Sequence, residues 1–469
     1  MRRRTFLSRL SAIAAACAGT SRLAPSAEAP RKPNILFILV DDLGKDWISC
    51  YGAEEVETPH VDALAQGGIR FENAYSMAQC TPSRVTFLTA QYPYRTGWVN
   101  HWDVPRWGVG YFDWERYTTV AELLKNAGYA TAAAGKWQIN DFRIAPGAMR
   151  EHGFDDWCMW TGFETGTPAS AERYWDPYIN TLEGSKTCKG AFGPDVYAES
   201  LIQFMRDHRD EPMFLYFAMT LTHGPLVATP TEPGAESPRD KHKAMVRYMD
   251  LLVGKLVKAL DELALRENTI IVFTTDNGSA FGGTRNGRKF DSGKAKKWEH
   301  GVCMPFVVNG PGRVPAGVAT DALTDFTDLL PTFADLAGAK LPEDVVDGVS
   351  IAPVILGEMN DSKREWILSM GHGPAILDEK GVRGKDDFAE RVIRDKRYKV
   401  WVDTNREISQ LYDLQSDPYE ERNLMNSDEP ILKEILKKFQ RVLDAMPERD
   451  ARPQYTPRDP NPWDKNSTE

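Results

Sequence analysis

Residues 34–44 read NILFILVDDLG, six apolar residues in a row after Asn34 that run straight into two aspartates. A run this short, without polar alternation, fits a strand buried on both faces. Runs of the same kind recur at Ala130 to Ala134, at Met213 to Met219 (MFLYFAM) and at Thr269 to Thr275 (TIIVFTT). Segments of helical period lie between them: Thr58 to Gln66, Val120 to Ala127, Asp195 to Asp207, and a long one from about Asp240 to Leu265. In the last, Met245, Tyr248, Met249, Leu252, Val253, Leu256 and Leu260 recur at helical spacing, which reads as core packing. The alternation predicts an α/β fold whose large, mostly parallel sheet is sandwiched by helices.

Open sheets of this kind gather ligands at the carboxyl ends of their strands. The residues that follow each run are therefore the candidate site: Asp41 and Asp42, Lys136 behind Gly135, His223, and Asp276 with Asn277. Beyond residues 341–357 (LPEDVVDGVSIAPVILG) the strand candidates shorten to Trp366 to Met370, Arg391 to Ile393, Tyr398 to Trp401 and Gln410 to Leu414, and an amphipathic helix is predicted from about Pro430 to Ala445. These form a smaller C-terminal α+β domain. The expected organisation is a signal at 1–29, a catalytic domain at 30–345, a sheet-plus-helix subdomain at 346–448, and an extended tail at 449–469 rich in Pro, Asp and Asn.

With 42% apolar and 26% charged residues, the 469-residue chain is neither disordered nor a multi-span membrane protein. The formal charge of -10 includes five Arg and one Glu in residues 1–29; without them 52 basic residues face 66 acidic ones, or -14. Nucleic acid is thereby a poor partner, and an anionic substrate would need a local cluster of cations. The N-terminus has a basic start, an Ala-rich apolar stretch and then small residues and Pro, the layout of an export signal; Arg3 and Arg4 before Thr5, Phe6 and Leu7 resemble a twin-arginine signal. A periplasmic or secreted location is expected, with export machinery as a partner. Cys17 behind three alanines is a weak lipoprotein-site candidate. Cys50, Cys80, Cys158, Cys188 and Cys303 remain, an odd number for an oxidising compartment. If Cys80 is chemically converted, the other four form up to two disulfides or stay as buried thiols.

Local chemistry sharpens this picture. Asp41, Asp42, Asp276 and Asn277 together offer four oxygen donors at the ends of two strands, a hard set that favours calcium or magnesium over zinc. Taken singly, each also reads as a turn or helix cap. CTPSR, Cys80 to Arg84, resembles the modification motif of the sulfatase family, in which the cysteine is oxidised to formylglycine, and the likeness continues through Gly97 (CTPSRVTFLTAQYPYRTG). It extends in family order along nearly all of the chain: PNILFILVDDLG, GKW at Gly135 to Trp137, HGP at His223 to Pro225, TTDNG at Thr274 to Gly278, KAKKWEHGVCMPFVV at Lys294 to Val308 and LYDLQSDPYEERNL at Leu411 to Leu424.

The resemblance implies an alkaline-phosphatase-like fold, a large mixed sheet sandwiched by helices with a smaller C-terminal α+β domain, and an arylsulfatase-like hydrolase of sulfuric esters, acting on a small-molecule or oligosaccharide sulfate. It implies one calcium ion held by Asp41, Asp42, Asp276, Asn277 and the modified residue 80, with a formylglycine-generating or equivalent enzyme as partner. In the implied mechanism one hydroxyl of the hydrated aldehyde attacks sulfur and the other helps to expel sulfate. Lys136 and Lys294 then face the sulfate oxygens, Arg84 holds the hydrated aldehyde, and His223 serves the departing alcohol. The other cations nearby, Arg95, Arg285, Arg288, Lys289, Lys296 and Lys297, read as solvated, and the other seven histidines as surface or packing residues.

Two departures stand out. The family usually follows GKW with histidine, whereas Gln138 stands here, a residue that can hydrogen-bond to the second hydroxyl but cannot serve as a base. His300 stands where the family commonly has glycine, a position that either faces the substrate pocket or, as the commoner case, lies on a loop surface. Two alternatives remain. One is a phosphonate or phosphate ester hydrolase of the same superfamily, although two-zinc sites call for histidine ligands that DNG does not supply. The other is a silent sulfate-glycan-binding protein, favoured only by Gln138. Aromatic residues at 100–116 and 163–175 suit sugar stacking and core packing equally.

Overall fold

The computed structural model describes residues 31–163 and 173–466. The expected signal at 1–29 with Cys17, and part of the aromatic stretch 163–175, lie outside the described residues.

Ten strands form the main sheet: β1 (Asn34–Val40), β2 (Gly68–Tyr75), β3 (Ala130–Lys136), β4 (Asp156–Trp160), β5 (Tyr178–Thr181), β6 (Gly184–Thr187), β7 (Met213–Ala218), β8 (Thr269–Thr275), β9 (Phe306–Asn309) and β10 (Val318–Asp325). Their spatial order is β10-β2-β9-β8-β1-β7-β3-β4-β5-β6. The four strands expected from unbroken apolar runs are the contiguous parallel centre, β8-β1-β7-β3. The sheet is mixed, as the resemblance implies, although the apolar runs alone predict a mostly parallel one. β9 pairs antiparallel with both neighbours, and β5 and β6 return as antiparallel hairpin strands. Those strands are short, lie outside the centre and lack the long apolar run.

Alternation along β1 divides the core. Ile35, Phe37 and Leu39 face one layer, with Val85, Phe87 and Leu88 of the helix Cys80–Thr89 and Leu329, Leu330 and Phe333 of Leu329–Ala337. Leu36, Ile38 and Val40 face the other, with Leu201 and Ile202 of Gly193–Asp207 and Met249, Leu252 and Val253 of Pro238–Glu262. Burial on both faces explains why the central strands carry no polar alternation.

A second, antiparallel sheet joins β11 (Ile367–Met370), β12 (Arg391–Arg394), β13 (Tyr398–Val402) and β14 (Ile408–Asp413) in that order. Leu432, Phe439 and Leu443 of the helix Pro430–Asp444 pack on it. This sheet supports the chain entering the candidate site: Ala78 N–H donates to Met370 O at 3.1 Å, and Ser369 Oγ donates to Ser76 O at 2.6 Å. Residues 451–466 have little regular structure yet are anchored, with Arg452 paired to Asp378 and the Arg143 guanidinium 4.0 Å over the Trp463 ring. All five described cysteines are free thiols; Cys80, Cys158 and Cys303 are buried, whereas Cys50 and Cys188 are half-buried, so the expectation of buried thiols holds for only two of the four.

Candidate active site

Because β8, β1, β7 and β3 run parallel and adjacent, their carboxyl ends meet at one edge, and the residues just beyond them converge. Asp41 and Asp42 follow β1, Asp276 and Asn277 follow β8, Lys136 ends β3, and His223 lies five residues past β7. Backbone hydrogen bonds from Asp276 N to Val40 O and from Thr222 N to Asp41 O, at 3.0 and 2.7 Å, lock these ends together. Asp42 adopts a left-handed φ of 62°, which aspartate tolerates better than most residues.

Cys80 opens the helix Cys80–Thr89, and each neighbour in CTPSR has a structural task. Pro82 sits in the first turn, where its missing N–H breaks no helical bond. Ser83 Oγ donates to Asp276 O and accepts from Met77 N–H, tying the helix start to the end of β8. Arg84 reaches Asp276 Oδ2 at 2.8 Å and Lys136 O at 3.1 Å. Cys80 Sγ therefore lies 3.5 Å from Asp41 Oδ1 and 3.8 Å from Asp42 Oδ1, fully buried.

Cations surround the carboxylates. Lys136 Nζ is 2.7 Å from Asp41 Oδ2, and Lys294 Nζ is 2.5 Å from Asp42 Oδ2. His223 Nε2 stands 3.5 Å from Asp42 Oδ2, while its Nδ1–H donates to Gly224 O at 2.7 Å. Burial disfavours the charge on Asp41, but Lys136, His223, Arg84 and Lys294 hold its carboxyl well below the usual range. Asp276 goes the other way, raised to about 6 by burial and by the neighbouring Asp41. Burial lowers His223 to about 3 against the pull of Asp42 and Asp41, so its imidazole is neutral.

The donor set suits a hard cation. Three buried carboxylates that raise one another's ionisation cost are what a divalent ion would neutralise, and Asn277 Oδ1 is buried without a hydrogen-bond partner. Ligand atoms of Asp41, Asp42, Cys80 and His223 lie within 4.8 Å of one another.

The sequence-derived candidates thus gather at one edge of the sheet, with Gln138 two residues beyond Lys136, and two further residues lie beside them. His101, a surface or packing residue by sequence alone, has its Nδ1 3.3 Å from Gln138 Nε2. Arg173 reaches to 3.9 Å from Asp41 Oδ2 with its guanidinium 4.0 Å over the Trp160 ring. Neither sits in a local motif, so only the fold could have revealed them. His300 is away from the cluster, with Nε2 3.1 Å from Asp291 Oδ1 in a cavity of about 410 Å³ that Arg285, Arg288 and Tyr419 also line. In the aromatic stretches, Trp102, Phe112 and Tyr174 are buried, as packing requires, whereas Trp175 is 43% exposed.

Comparison with known proteins adds independent findings. The sulfatase family model matches residues 33–339, and the model described as N-sulphoglucosamine sulphohydrolase, C-terminal, matches 290–449. Among curated proteins, the N-acetylgalactosamine-6-sulfatase of Canis lupus familiaris is 33% identical over 363 residues, covering 71% of this chain and 67% of its own. Arylsulfatase A of Homo sapiens is 31% identical over 472 residues, covering 90% and 89%. Among solved structures, Ps i-CgsB in complex with k-i-k-neocarrahexaose superposes with a TM-score of 0.74 at 25% identity, covering 91% of this chain and 95% of that one.

Proposed function

Since the chain belongs to the sulfatase family and is accordingly a hydrolase of sulfate esters, we propose that it releases sulfate from a sulfated carbohydrate, using a formylglycine made from Cys80 and a bound calcium ion. The observation that carries this reading is the setting of Cys80. Burial, Asp276 and Asp41 push its thiol well above the ordinary range, outweighing Lys136 and Lys294. A thiol held neutral is a poor nucleophile, yet it occupies the point on which two lysines, an arginine, a histidine and three carboxylates converge. Conversion to an aldehyde, hydrated in water, would put an ionisable hydroxyl at that point instead.

Asp41, Asp42, Asp276 and Asn277 would hold the calcium together with residue 80. Bound there, the ion would act as a Lewis acid and lower the cost of ionising the hydroxyl. Lys136 and Lys294 supply fixed positive charge for the sulfate oxygens, which matters most where charge develops in a water-poor site. Arg84 holds Asp276 and the end of β3, and so fixes the frame around residue 80. His223 keeps Nε2 towards Asp42, in position to exchange a proton with the departing alcohol once a sulfate ester has brought negative charge into the site.

A sulfated sugar as substrate is supported by the carbohydrate bound to the Ps i-CgsB neighbour and by the galactosamine-sulfatase relative. The twin-arginine-like segment supports export. The mass of the tryptic peptide Phe71 to Arg84, from protein made beside a formylglycine-generating enzyme, tests the reading. Loss of hydrogen sulfide with gain of one oxygen is expected; an intact thiol beside a demonstrably active modifying enzyme rejects the mechanism in favour of a sulfate-glycan-binding protein.

A further inference from the structure

The loop carrying His101 is pinned to Thr81, the neighbour of residue 80, and to the chain at Gln138 and Gly373. Trp102 N–H donates to Thr81 Oγ1, and Thr81 Oγ1 donates to Trp102 O, both at 3.1 Å. Val104 N–H donates to Gln138 O at 3.1 Å. His101 itself donates its N–H to Gly373 O at 3.0 Å and accepts from Ala375 N–H at 2.8 Å. The imidazole stands edge-on to Trp107, with ring centroids 5.2 Å apart, and its Nδ1 meets the Gln138 amide. Burial lowers its pKa to about 3; Lys136, Lys294 and His223 add to this, and Asp42 opposes it. Lys136 and Lys294 act on Cys80 as well, and burial leaves the ring neutral.

Gln138 is held unusually for this task. It is buried at a left-handed φ of 74°, and its Oε1 is buried without a partner. Both features cost free energy and point to a functional constraint. Amide oxygen and nitrogen exchange places by rotation about one bond. Rotated, the oxygen accepts Nδ1–H, and the other ring nitrogen is left with its lone pair. Other bases nearby are engaged: Asp41 and Asp42 with the lysines, Asp276 with Arg84, and His223 on the Asp42 side.

We propose that His101 is the base that serves residue 80 when sulfate departs, and that Gln138 is the residue that positions it. The proposal rests on the formylglycine reading above. In this step His101 Nε2 takes the proton from the hydroxyl remaining on residue 80. The O–H electron pair becomes the second bond of the aldehyde C=O, the bond from that carbon to the sulfate oxygen breaks, and its electron pair leaves with sulfate. His101 then returns its proton to water. Sulfate's negative charge offsets Lys136 and Lys294 at that moment, which lets a neutral imidazole accept the proton.

The test uses full-length modified protein, wild type and His101→Ala, with para-nitrophenyl sulfate. Steady-state turnover of the variant is expected to fall about 10²–10⁴-fold, while the first equivalent of phenol is still released. The acid-quenched Phe71 to Arg84 peptide then carries one added SO₃ in the variant and none in wild type. Added imidazole restores turnover and clears the label, which repair of a merely structural defect would not do. Gln138→Ala is expected to lower turnover about tenfold, less than loss of the base itself because His101 remains, with KM unchanged. Unchanged turnover in His101→Ala, or loss of the first phenol release in a variant with an unaltered melting temperature, overturns the proposal. His101→Asn, which keeps a hydrogen-bonding side chain, replaces His101→Ala if that variant does not fold. An intact thiol in the wild-type peptide before substrate is added overturns the formylglycine reading, and the proposal with it, and is distinguished by that earlier spectrum.

Discussion

Replacing Lys399 with Met tests how the second sheet supports the site. Lys399 is fully buried on β13, with Nζ 3.0 Å from Glu299 Oε1, 2.9 Å from Glu420 Oε1 and 2.7 Å from Lys297 O. Burial raises the cost of ionising both glutamates, but the outcomes differ. Glu299, which has Lys399 and also Arg394 at 3.4 Å, is held down at about 2, whereas burial wins at Glu420 and raises it. Moving Glu299 from its usual 4.5 to about 2 corresponds to about 3 kcal/mol, matching the ~3–5 kcal/mol lost when a buried ion pair is orphaned. Arg394 stays, so about 3 kcal/mol is expected at neutral pH. At roughly 2 cal/mol/K of unfolding entropy per residue, that lowers the melting temperature by about 3 °C. A depressed carboxyl pKa stabilises above the unfolded value and loses its effect as pH falls through the folded one. The gap between wild type and Lys399→Met is therefore widest at neutral pH and closes between 4.5 and about 2. Urea unfolding across that range measures it. A gap that is absent at neutral pH, or one that persists at acid pH, refutes the reasoning. Because Lys399 also holds Lys297 O, three residues from Lys294, turnover is expected to fall as well.

Cys80→Ala is expected to abolish turnover while leaving the melting temperature within a few degrees of wild type, since the site's frame is built by Ser83 and Arg84. Lys136→Ala and Lys294→Ala should each lower kcat by about 10²–10³, measured with an aryl sulfate; an effect confined to KM would place the lysines in ground-state binding only. Calcium removal by chelation should abolish activity reversibly. Because Asp276 is raised to about 6, the ion must compete with a proton as pH falls below that value, so calorimetry should find weaker calcium binding at about pH 5 than at about pH 7. Affinity unaffected by pH would exclude Asp276 as a ligand. Thiol titration of the denatured, modified and processed protein should count Cys50, Cys158, Cys188 and Cys303 without prior reduction; fewer would reveal a disulfide.

The central fold was legible because it depends on local composition. NILFILV and TIIVFTT coincide with β1 and β8 residue for residue, since a strand buried on both faces must be apolar throughout. The small strands and the helix Pro430–Asp444 were found within one or two residues for the same kind of reason. β2, β4, β5, β6, β9 and β10 escaped because their sequences are short or half-polar, and neighbouring strands rather than propensity make them pair. Most site residues were legible because they follow a recognisable strand or lie in CTPSR, and Lys294 only through the resemblance of KAKKWEHG to the family.

The sequence by itself determined the parallel centre, the CTPSR motif at Cys80, the oxygen-rich carboxylates and the odd substitution at Gln138. Tertiary structure alone decided what surrounds them. It set Lys294 on Asp42 across 252 residues, and it brought His101 to Gln138 across 37. It also raised Asp276 while lowering Asp41, although both are aspartates at the end of a central strand. Charge interactions depend on distance and burial in space, and neither can be read from spacing along the chain.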